Sequence, residues 1–235
     1  FSFNANQATF VGELFDGCIQ SGFIRNGCPA NWALIPTCKN QEWSPAAHTR
    51  NRSGSVFIGT LDYKKMSADF FSLASQLPGE ALPLSVYGQL MSNTFAADLK
   101  SKQDKSIRYC GYAVNKEAIF SPAAFFFYPL RPDHYGTTEN ALLEAMSYGL
   151  LPLVKNNPVE EAILGDQFFP LLNIEKHLSD FSSILLNSHA LQEEISNRIR
   201  MRSFELTNSQ FRRKKWYEFL ESRSDDFRSI NISSV

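Results

Sequence analysis

The chain has 235 residues, of which 43% are hydrophobic and 20% charged. That is enough to bury one sizeable core, and one large domain with an appendage is the simpler organisation. The 23 basic and 24 acidic residues nearly cancel, so the overall charge gives no reason to expect a nucleic acid as partner, and any anion site must be local.

The longest apolar stretch, Ala118 to Leu130, is interrupted by Ser121 and Pro122. It is shorter than the roughly 20 residues that a membrane helix needs, so we predict no such helix. The chain begins at Phe1, without a methionine or a basic-then-apolar signal pattern, and we expect a piece of a longer protein.

The cysteines lack the paired short spacing of a zinc site. We therefore predict no metal site and reduced thiols in a cytoplasmic chain. The cysteines are Cys18, Cys28, Cys38 and Cys110.

Strands and helices are predicted to alternate from Ser55 to Leu172, which favours an α/β domain with a mostly parallel sheet of about six strands. The run Ala123–Tyr128 is apolar throughout, as expected of a central strand. The predicted strands are Ser55–Gly59, Leu84–Gly88, Ser106–Gly111, Ala123–Tyr128, Leu151–Val154 and Phe168–Leu172. The predicted helices are Ser67–Gln76, Thr94–Lys100, Lys116–Phe120, Thr138–Tyr148 and Pro158–Leu164.

The two ends of the chain do not follow this alternation. Residues 175 to about 223 have helical periodicity, with four apolar residues as candidate contacts: Ile195, Ile199, Met201 and Phe204. Near the start, Thr9 to Ile19 could form a helix, and Trp32 to Pro36 a short strand before a polar linker. We expect residues 1–53 to be a connector or the end of a missing N-terminal domain, and residues 54–235 to form the α/β domain.

A polar loop around Gly136 follows the central strand and leads into the helix that Thr137 or Thr138 should open. Open parallel sheets bind ligands at the carboxyl ends of their strands. Backbone amides at a helix start bind phosphate, and a glycine lets the ligand approach closely. The alternative is an ordinary capping threonine and a turn glycine. We predict a nucleotide-type site here.

Residues 143–154 read Leu-Glu-Ala-Met-Ser-Tyr-Gly-Leu-Leu-Pro-Leu-Val, and they resemble the donor-binding segment of group 1 glycosyltransferases. These enzymes have the GT-B fold, with two facing Rossmann-like domains. The resemblance, which extends loosely from about Trp32 to Phe219, implies a Rossmann-like three-layer domain with C-terminal helices. It also implies binding of a nucleoside-diphosphate sugar, without a metal or other cofactor, and transfer of the sugar to a glycan, lipid or protein.

The resemblance assigns Glu144 to the donor ribose, because a carboxylate can accept hydrogen bonds from its two vicinal hydroxyls. The alternative is a solvated helix glutamate. The family usually has a second glutamate with seven residues between the two, a position that Gly136 occupies here. Glu139, Asp133 and His134 are the candidate substitutes, although a loop histidine is more often a surface residue.

Two further segments match the family loosely. In residues 57–66, Gly59 is followed by Thr60, where the family has an arginine. Lys64 and Lys65 come next, and the resemblance implies that one of them holds the diphosphate. The alternative is an exposed lysine pair. Tyr112 follows a Cys-Gly pair that resembles the family's nucleobase segment, and it is either a base contact or a rim aromatic.

Residues 212–220 mix basic and aromatic side chains. They could rest on an anionic membrane at its inner surface, but a solvated helix that packs Trp216 and Phe219 is the preferred interpretation. Two rival functions keep the nucleotide site: a sugar-nucleotide epimerase or phosphorylase of the same fold, and a non-catalytic nucleotide-binding or assembly module. Since the acceptor-binding domain is expected to be missing, we predict that this chain alone transfers no sugar.

Overall fold

The computed structural model describes residues 19–23, 33–36, 52–132, 134, 136, 138–168, 172–174 and 188–228. The strands are β1 (Ile19–Ser21), β2 (Ala33–Ile35), β3 (Ser55–Ile58), β4 (Leu84–Tyr87), β5 (Ile107–Tyr109), β6 (Phe125–Tyr128) and β7 (Leu151–Val154). The helices are α1 (Phe70–Ala74), α2 (Asn93–Lys102), α3 (Lys116–Phe120), α4 (Asn140–Ser147), α5 (Pro158–Leu164), α6 (His189–Thr207) and α7 (Ser209–Arg228), with a 3₁₀ turn at Gly79–Ala81.

Five strands form one parallel sheet in the order β5-β4-β3-β6-β7. The predicted central strand, β6, is buried along its whole length between β3 and β7. β1 and β2 form a separate parallel pair. The predicted α/β class and parallel sheet are confirmed, and the domain boundary at residue 53 stays a prediction.

Helices cover both faces of the five-stranded sheet. Phe127 of β6 contacts Phe70 of α1 with ring centroids 5.2 Å apart, whereas its neighbour Phe126 contacts Phe120 of α3 at 6.1 Å. Successive side chains of a strand point to opposite faces. α1 and α3 therefore lie on opposite sides of the sheet, which gives the expected three layers.

The helix of the glycosyltransferase-like segment, α4, is clamped at its end by α6. Ser203 Oγ donates to the Leu143 carbonyl at 2.6 Å, and Ser196 Oγ donates to the Gly149 carbonyl at 2.6 Å. Gly149 has a φ of +78°, and a Cβ there would lie 2.4 Å from Ser196 Oγ. Only glycine suits this position, and the predicted stop of the helix is confirmed.

Several predicted boundaries need correction. α4 begins at Asn140, not at Thr138, and α1 begins three residues later than predicted. The last predicted strand, 168–172, is wrong at its ends, because Phe168 lies in a turn and Leu172 is helical; residues 169–171 lie outside the described part. Next to β7, Asn173 forms an isolated parallel bridge with Val154.

The two ends of the chain follow the predictions in part. The strand at 32–36 is present as β2, whereas Ile19 begins β1 instead of ending a helix, and residues 9–18 lie outside the described part. In α6, Ile195 and Ile199 are buried as predicted. The prediction for the other two apolar residues is wrong, because Met201 and Phe204 are exposed.

Candidate functional site

The loops that leave β3, β4 and β5 are held together at the carboxyl edge of the sheet. The Gly59 amide donates to the Tyr87 carbonyl at 3.1 Å, and the Gly88 amide donates to the Gly111 carbonyl at 2.8 Å. These bonds continue the strand ladder past the ends of the strands. The predicted residues near Gly59 and Tyr112 therefore lie on one edge.

The loop after β3 crosses over the end of β6. Met66 forms an antiparallel bridge with Leu130, the Ser67 amide donates to the Pro129 carbonyl at 3.0 Å, and the Arg131 amide donates to the Lys65 carbonyl at 3.0 Å. This crossing brings Lys65 next to the start of α4, although the two are far apart in the chain.

Lys65 is paired there with a buried carboxylate. Its Nζ lies 2.9 Å from Glu139 Oε2, and the side chains are 15% and 1% exposed, respectively. The Tyr128 hydroxyl donates to the same oxygen, and Lys65 Nζ lies 5.8 Å from the centre of the Tyr128 ring. Lys64, in contrast, is exposed. The two predicted lysines thus have different environments.

Glu139 occupies the N-cap position of α4 in an unusual backbone conformation, and its side chain makes no capping hydrogen bond. Its φ of 36° and ψ of 61° are left-handed, the only positive φ of a non-glycine residue in the described part of the chain. Such a conformation is costly and persists only where surrounding contacts fix it. Here the buried contacts with Lys65 and Tyr128 supply them.

The Glu139 carboxylate occupies the space that a side chain at position 136 would need. A Cβ built on Gly136 would lie 1.5 Å from Glu139 Oε1 and 3.0 Å from His134 Nδ1. Of the two candidate substitutes in the described part, Glu139 and His134, it is therefore Glu139 that has its carboxylate at this place. Asp133 lies outside the described residues, and so does Thr137.

His134 is buried and connects the start of α4 to α5, so the expectation of a surface histidine is wrong. The Gly136 amide donates to His134 Nδ1 at 3.0 Å, and Nε2 lies 3.2 Å from Glu160 Oε1. His134 Nδ1 also lies 3.5 Å from Glu139 Oε1. We call Lys65, Tyr128, His134, Glu139 and Glu160 the buried network.

Glu144 has a partner that sequence patterns do not predict. Lys116 Nζ, at the first residue of α3, contacts Glu144 Oε2, with side-chain exposures of 39% and 23%. The Asn115 side chain caps α3 by accepting from the Ala118 amide at 3.0 Å. This cap fixes the backbone at the start of α3, from which the Lys116 side chain extends. Lys116 and Glu144 are 28 positions apart in the chain, so no local sequence pattern predicts their contact.

A third lysine–acid pair, also missed from sequence, lies near the end of β7. Buried Lys155 places Nζ 2.9 Å from Asp69 Oδ2 and 3.1 Å from Ser67 Oγ. Partial burial by itself raises the pKa of Asp69, but hydrogen bonds from Ser67 and Lys155 and the charge of Lys155 bring the net pKa below its ordinary value.

The remaining predicted residues lie around the rim. Tyr112 is 76% exposed, and Thr60, Gly59 and Thr138 are partly buried.

The basic and aromatic segment of α7 is a solvated helix in the described part. Trp216 contacts Phe219 with ring centroids 6.4 Å apart, while Trp216 and Tyr217 remain 43% and 63% exposed. Within the described residues, no helix has the length and apolar character to cross a bilayer, and no group of acidic, histidine and cysteine side chains is placed to hold a metal ion. Cys110 is an exposed free thiol, and the other cysteines lie outside the described part.

Comparison with solved structures identifies proteins with the same fold. The chain is similar to HepE from Anabaena, solved with UDP, with a TM-score of 0.72 at 11% identity over 94% of this chain and 68% of that one. For TarM from S. aureus, also solved with UDP, the TM-score is 0.62 at 14% identity over 91% and 42% of the two chains. For sucrose-phosphate synthase from Thermosynechococcus elongatus, it is 0.63 at 14% identity over 98% and 63%.

These similar structures are GT-B glycosyltransferases, and at such identities the likeness shows the fold alone. The chain therefore has the fold of a GT-B glycosyltransferase domain, as the resemblance implied. It spans about half or less of TarM and of the GtfA/B complex chain, 42% and 48% of their lengths. No protein-family profile and no curated protein sequence matches the chain.

Proposed function

We propose that this chain is the nucleotide-sugar-binding domain of a glycosyltransferase. The observation that carries the proposal is the position of Glu144 on α4, on the same helix whose start meets Lys65 at the carboxyl edge of the sheet. Glu139 and Glu144 are five positions apart, a rise of about 7 Å along a helix. That separation suits a diphosphate at the helix start and its ribose beside Glu144.

The diphosphate would lie between the start of α4 and the loop of Lys64 and Lys65. The positive end of a helix dipole and the two ammonium groups would offset its charge. Lys65 shares its charge with Glu139, whereas Lys64 is exposed and free to approach the phosphate. As the sugar departs, these groups would stabilise the charge that develops on the leaving diphosphate.

The ribose and base would lie further along the edge. A carboxylate at Glu144 can accept hydrogen bonds from both hydroxyls of a ribose. The loop after β5, with Gly111 and exposed Tyr112, would face the base. The donor-binding residues proposed are Gly59, Thr60, Lys64, Lys65, Tyr112, His134, Gly136, Thr137, Thr138, Glu139 and Glu144, with His134 and Glu139 acting from within the buried network.

The acceptor and the place of reaction are further parts of the proposal. The chain spans under half of TarM, which supports a further domain of the same protein that faces this edge and binds a glycan, lipid or protein acceptor. Transfer requires donor and acceptor in contact, so the chain alone should bind nucleotide and transfer no sugar. We place the protein in the cytoplasm, with α7 available to touch the inner membrane surface.

Calorimetric titration with UDP, GDP and ADP tests the nucleotide site. Glu144→Ala should weaken binding of the preferred nucleotide by about 1.5–3 kcal/mol, the value of hydrogen bonds to a charged acceptor. Glu218→Ala is the matched control, since Glu218 also pairs with a lysine on a helix surface, Lys215 at 3.2 Å. Equal affinity of the wild type and Glu144→Ala would refute the ribose assignment.

A second assay separates the rival functions. The full protein should convert a nucleotide sugar and an acceptor into a glycosylated product and the nucleoside diphosphate. Epimerised nucleotide sugar, or a sugar phosphate, would indicate the epimerase or phosphorylase. Failure of the chain to bind any nucleotide would favour the non-catalytic module.

A further inference from the structure

The contact between Lys116 and Glu144 is poorly explained as a contribution to stability alone. The two side chains come from different helices, α3 and α4, and both remain partly exposed, at 39% and 23%. Exposed ion pairs contribute only about 0–1 kcal/mol to stability. The pair lies at the mouth of the loop that leaves β5, where Tyr112 and Val114 are 76% and 88% exposed.

A carboxylate that receives two neighbouring hydroxyls must present both oxygens in one orientation. Glutamate has three side-chain torsions and loses freedom when it is fixed. Lys116 contacts Oε2 alone, and each carboxylate oxygen has two acceptor positions, so the contact leaves room for a diol. A carboxylate held in advance binds more tightly, because the cost of ordering it does not fall on the ligand.

We infer that Lys116 is a positioning residue of the donor site, which orients the Glu144 carboxylate for the ribose diol. The inference rests on the proposed function. Lys116 is itself held by its place at the capped start of α3, where Asn115 binds the Ala118 amide. The charged groups around the pair include Glu117: burial first, then the charges of Glu117 and Glu144, raise the pKa of nearby Tyr148. Arg52, which donates to the Tyr148 carbonyl at 2.7 Å, and Arg200, which donates to the Ser147 carbonyl at 3.2 Å, are further charged groups close by.

Discrimination between ribose and deoxyribose tests this role, because a merely structural contact would not alter it. The probe is whichever of UDP, GDP and ADP binds most tightly, together with its 2′-deoxy counterpart, titrated into the whole chain. Lys116→Met should weaken binding of the ribonucleotide by roughly 2- to 10-fold, the effect of losing one pre-ordered side chain. Binding of the deoxynucleotide should change less, so the preference between the two should fall.

Three variants sharpen the result. Lys116→Arg should restore the preference, and Lys116→Met should have no further effect in a Glu144→Ala background. Lys215→Met removes a similar exposed lysine from its pair with Glu218 and should leave both affinities unchanged. If Lys116→Met kept the wild-type preference for ribose over deoxyribose, the inference about Lys116 would be overturned and the proposed function would stand. Absence of nucleotide binding by the wild type would overturn the proposed function and the inference together.

Discussion

The two lysine–glutamate pairs of α4 differ most in their exposure to water. Lys65 and Glu139 are 15% and 1% exposed, and Tyr128 and His134 complete their surroundings. Lys116 and Glu144 are 39% and 23% exposed, and their side chains contact each other. A buried pair costs much when it is broken, whereas an exposed pair contributes little to stability. The first pair therefore shapes the site, and the second is available to a ligand.

The largest effect should follow from breaking the buried pair. Glu139→Ala leaves the Lys65 ammonium and the Tyr128 hydroxyl without their shared acceptor, and it should lower the free energy of unfolding by about 3–5 kcal/mol. Glu144→Ala should lower it by less than about 1 kcal/mol. Urea denaturation of both variants measures the difference, and similar losses would contradict the comparison.

A methyl group at position 136 should disturb the same network. The Cβ of Gly136→Ala would lie 1.5 Å from Glu139 Oε1, so the anchored carboxylate must move. We expect the free energy of unfolding to fall by about 2 kcal/mol, which is typical of overpacking. In a Glu139→Ala background the loss should shrink, because the obstructing carboxylate is gone. An undiminished loss in that double variant would show that Glu139 is not the obstruction.

The two lysines of the loop after β3 should differ in their effects on ligand binding and on the stability of the fold. Lys64→Met should weaken binding of the nucleoside diphosphate by about 1.5 kcal/mol, the lower end for a charged hydrogen bond, without weakening binding of the nucleoside. Lys65→Met should also lower stability, because it leaves Glu139 buried without its cation. Calorimetry with both ligands, beside urea denaturation, distinguishes these outcomes. Equal losses of diphosphate and nucleoside binding in Lys64→Met would rule out a phosphate contact.

The smallest expected effect is a change in stability at acidic pH. The pKa of Asp69 in the folded chain lies below its ordinary value of 3.8, so the contribution of its pair with Lys155 is complete above that value. It is lost as the pH falls through the lower, folded-state pKa. Lys155→Met should therefore be less stable than the wild type at pH 7, and the gap should narrow toward pH 2. Thermal unfolding of both proteins at several pH values measures this difference in stability. A difference that stays constant with pH would show that the pair does not titrate.

Local sequence signals predicted some elements to the residue. α3 and α5 have the predicted bounds, because Asn115 caps the first and Pro158 opens the second. The start of α4 was predicted two residues too early, since a threonine looked like the cap. The left-handed Glu139 occupies the N-cap position instead, without a capping hydrogen bond from its side chain, and its conformation depends on tertiary contacts.

The site was predictable only where it rests on a motif. The resemblance selected Glu144, and Glu139 was one of three candidates for the missing carboxylate. The partner of His134, Glu160, is 26 positions away, and Lys116 is similarly distant from Glu144. Only the parallel topology brings such residues together. Spacing in the sequence cannot reveal contacts between helices that follow different strands.

The most direct measurement is a crystal structure of this chain with the nucleoside diphosphate that binds most tightly. We expect the ribose hydroxyls within hydrogen-bond distance of Glu144, with Lys116 still in contact with that carboxylate. We expect the diphosphate beside Lys64, Lys65 and residues 136–139. A nucleotide bound at the opposite edge of the sheet, in the groove lined by Ser72, Lys102 and Asp104, would contradict these expectations.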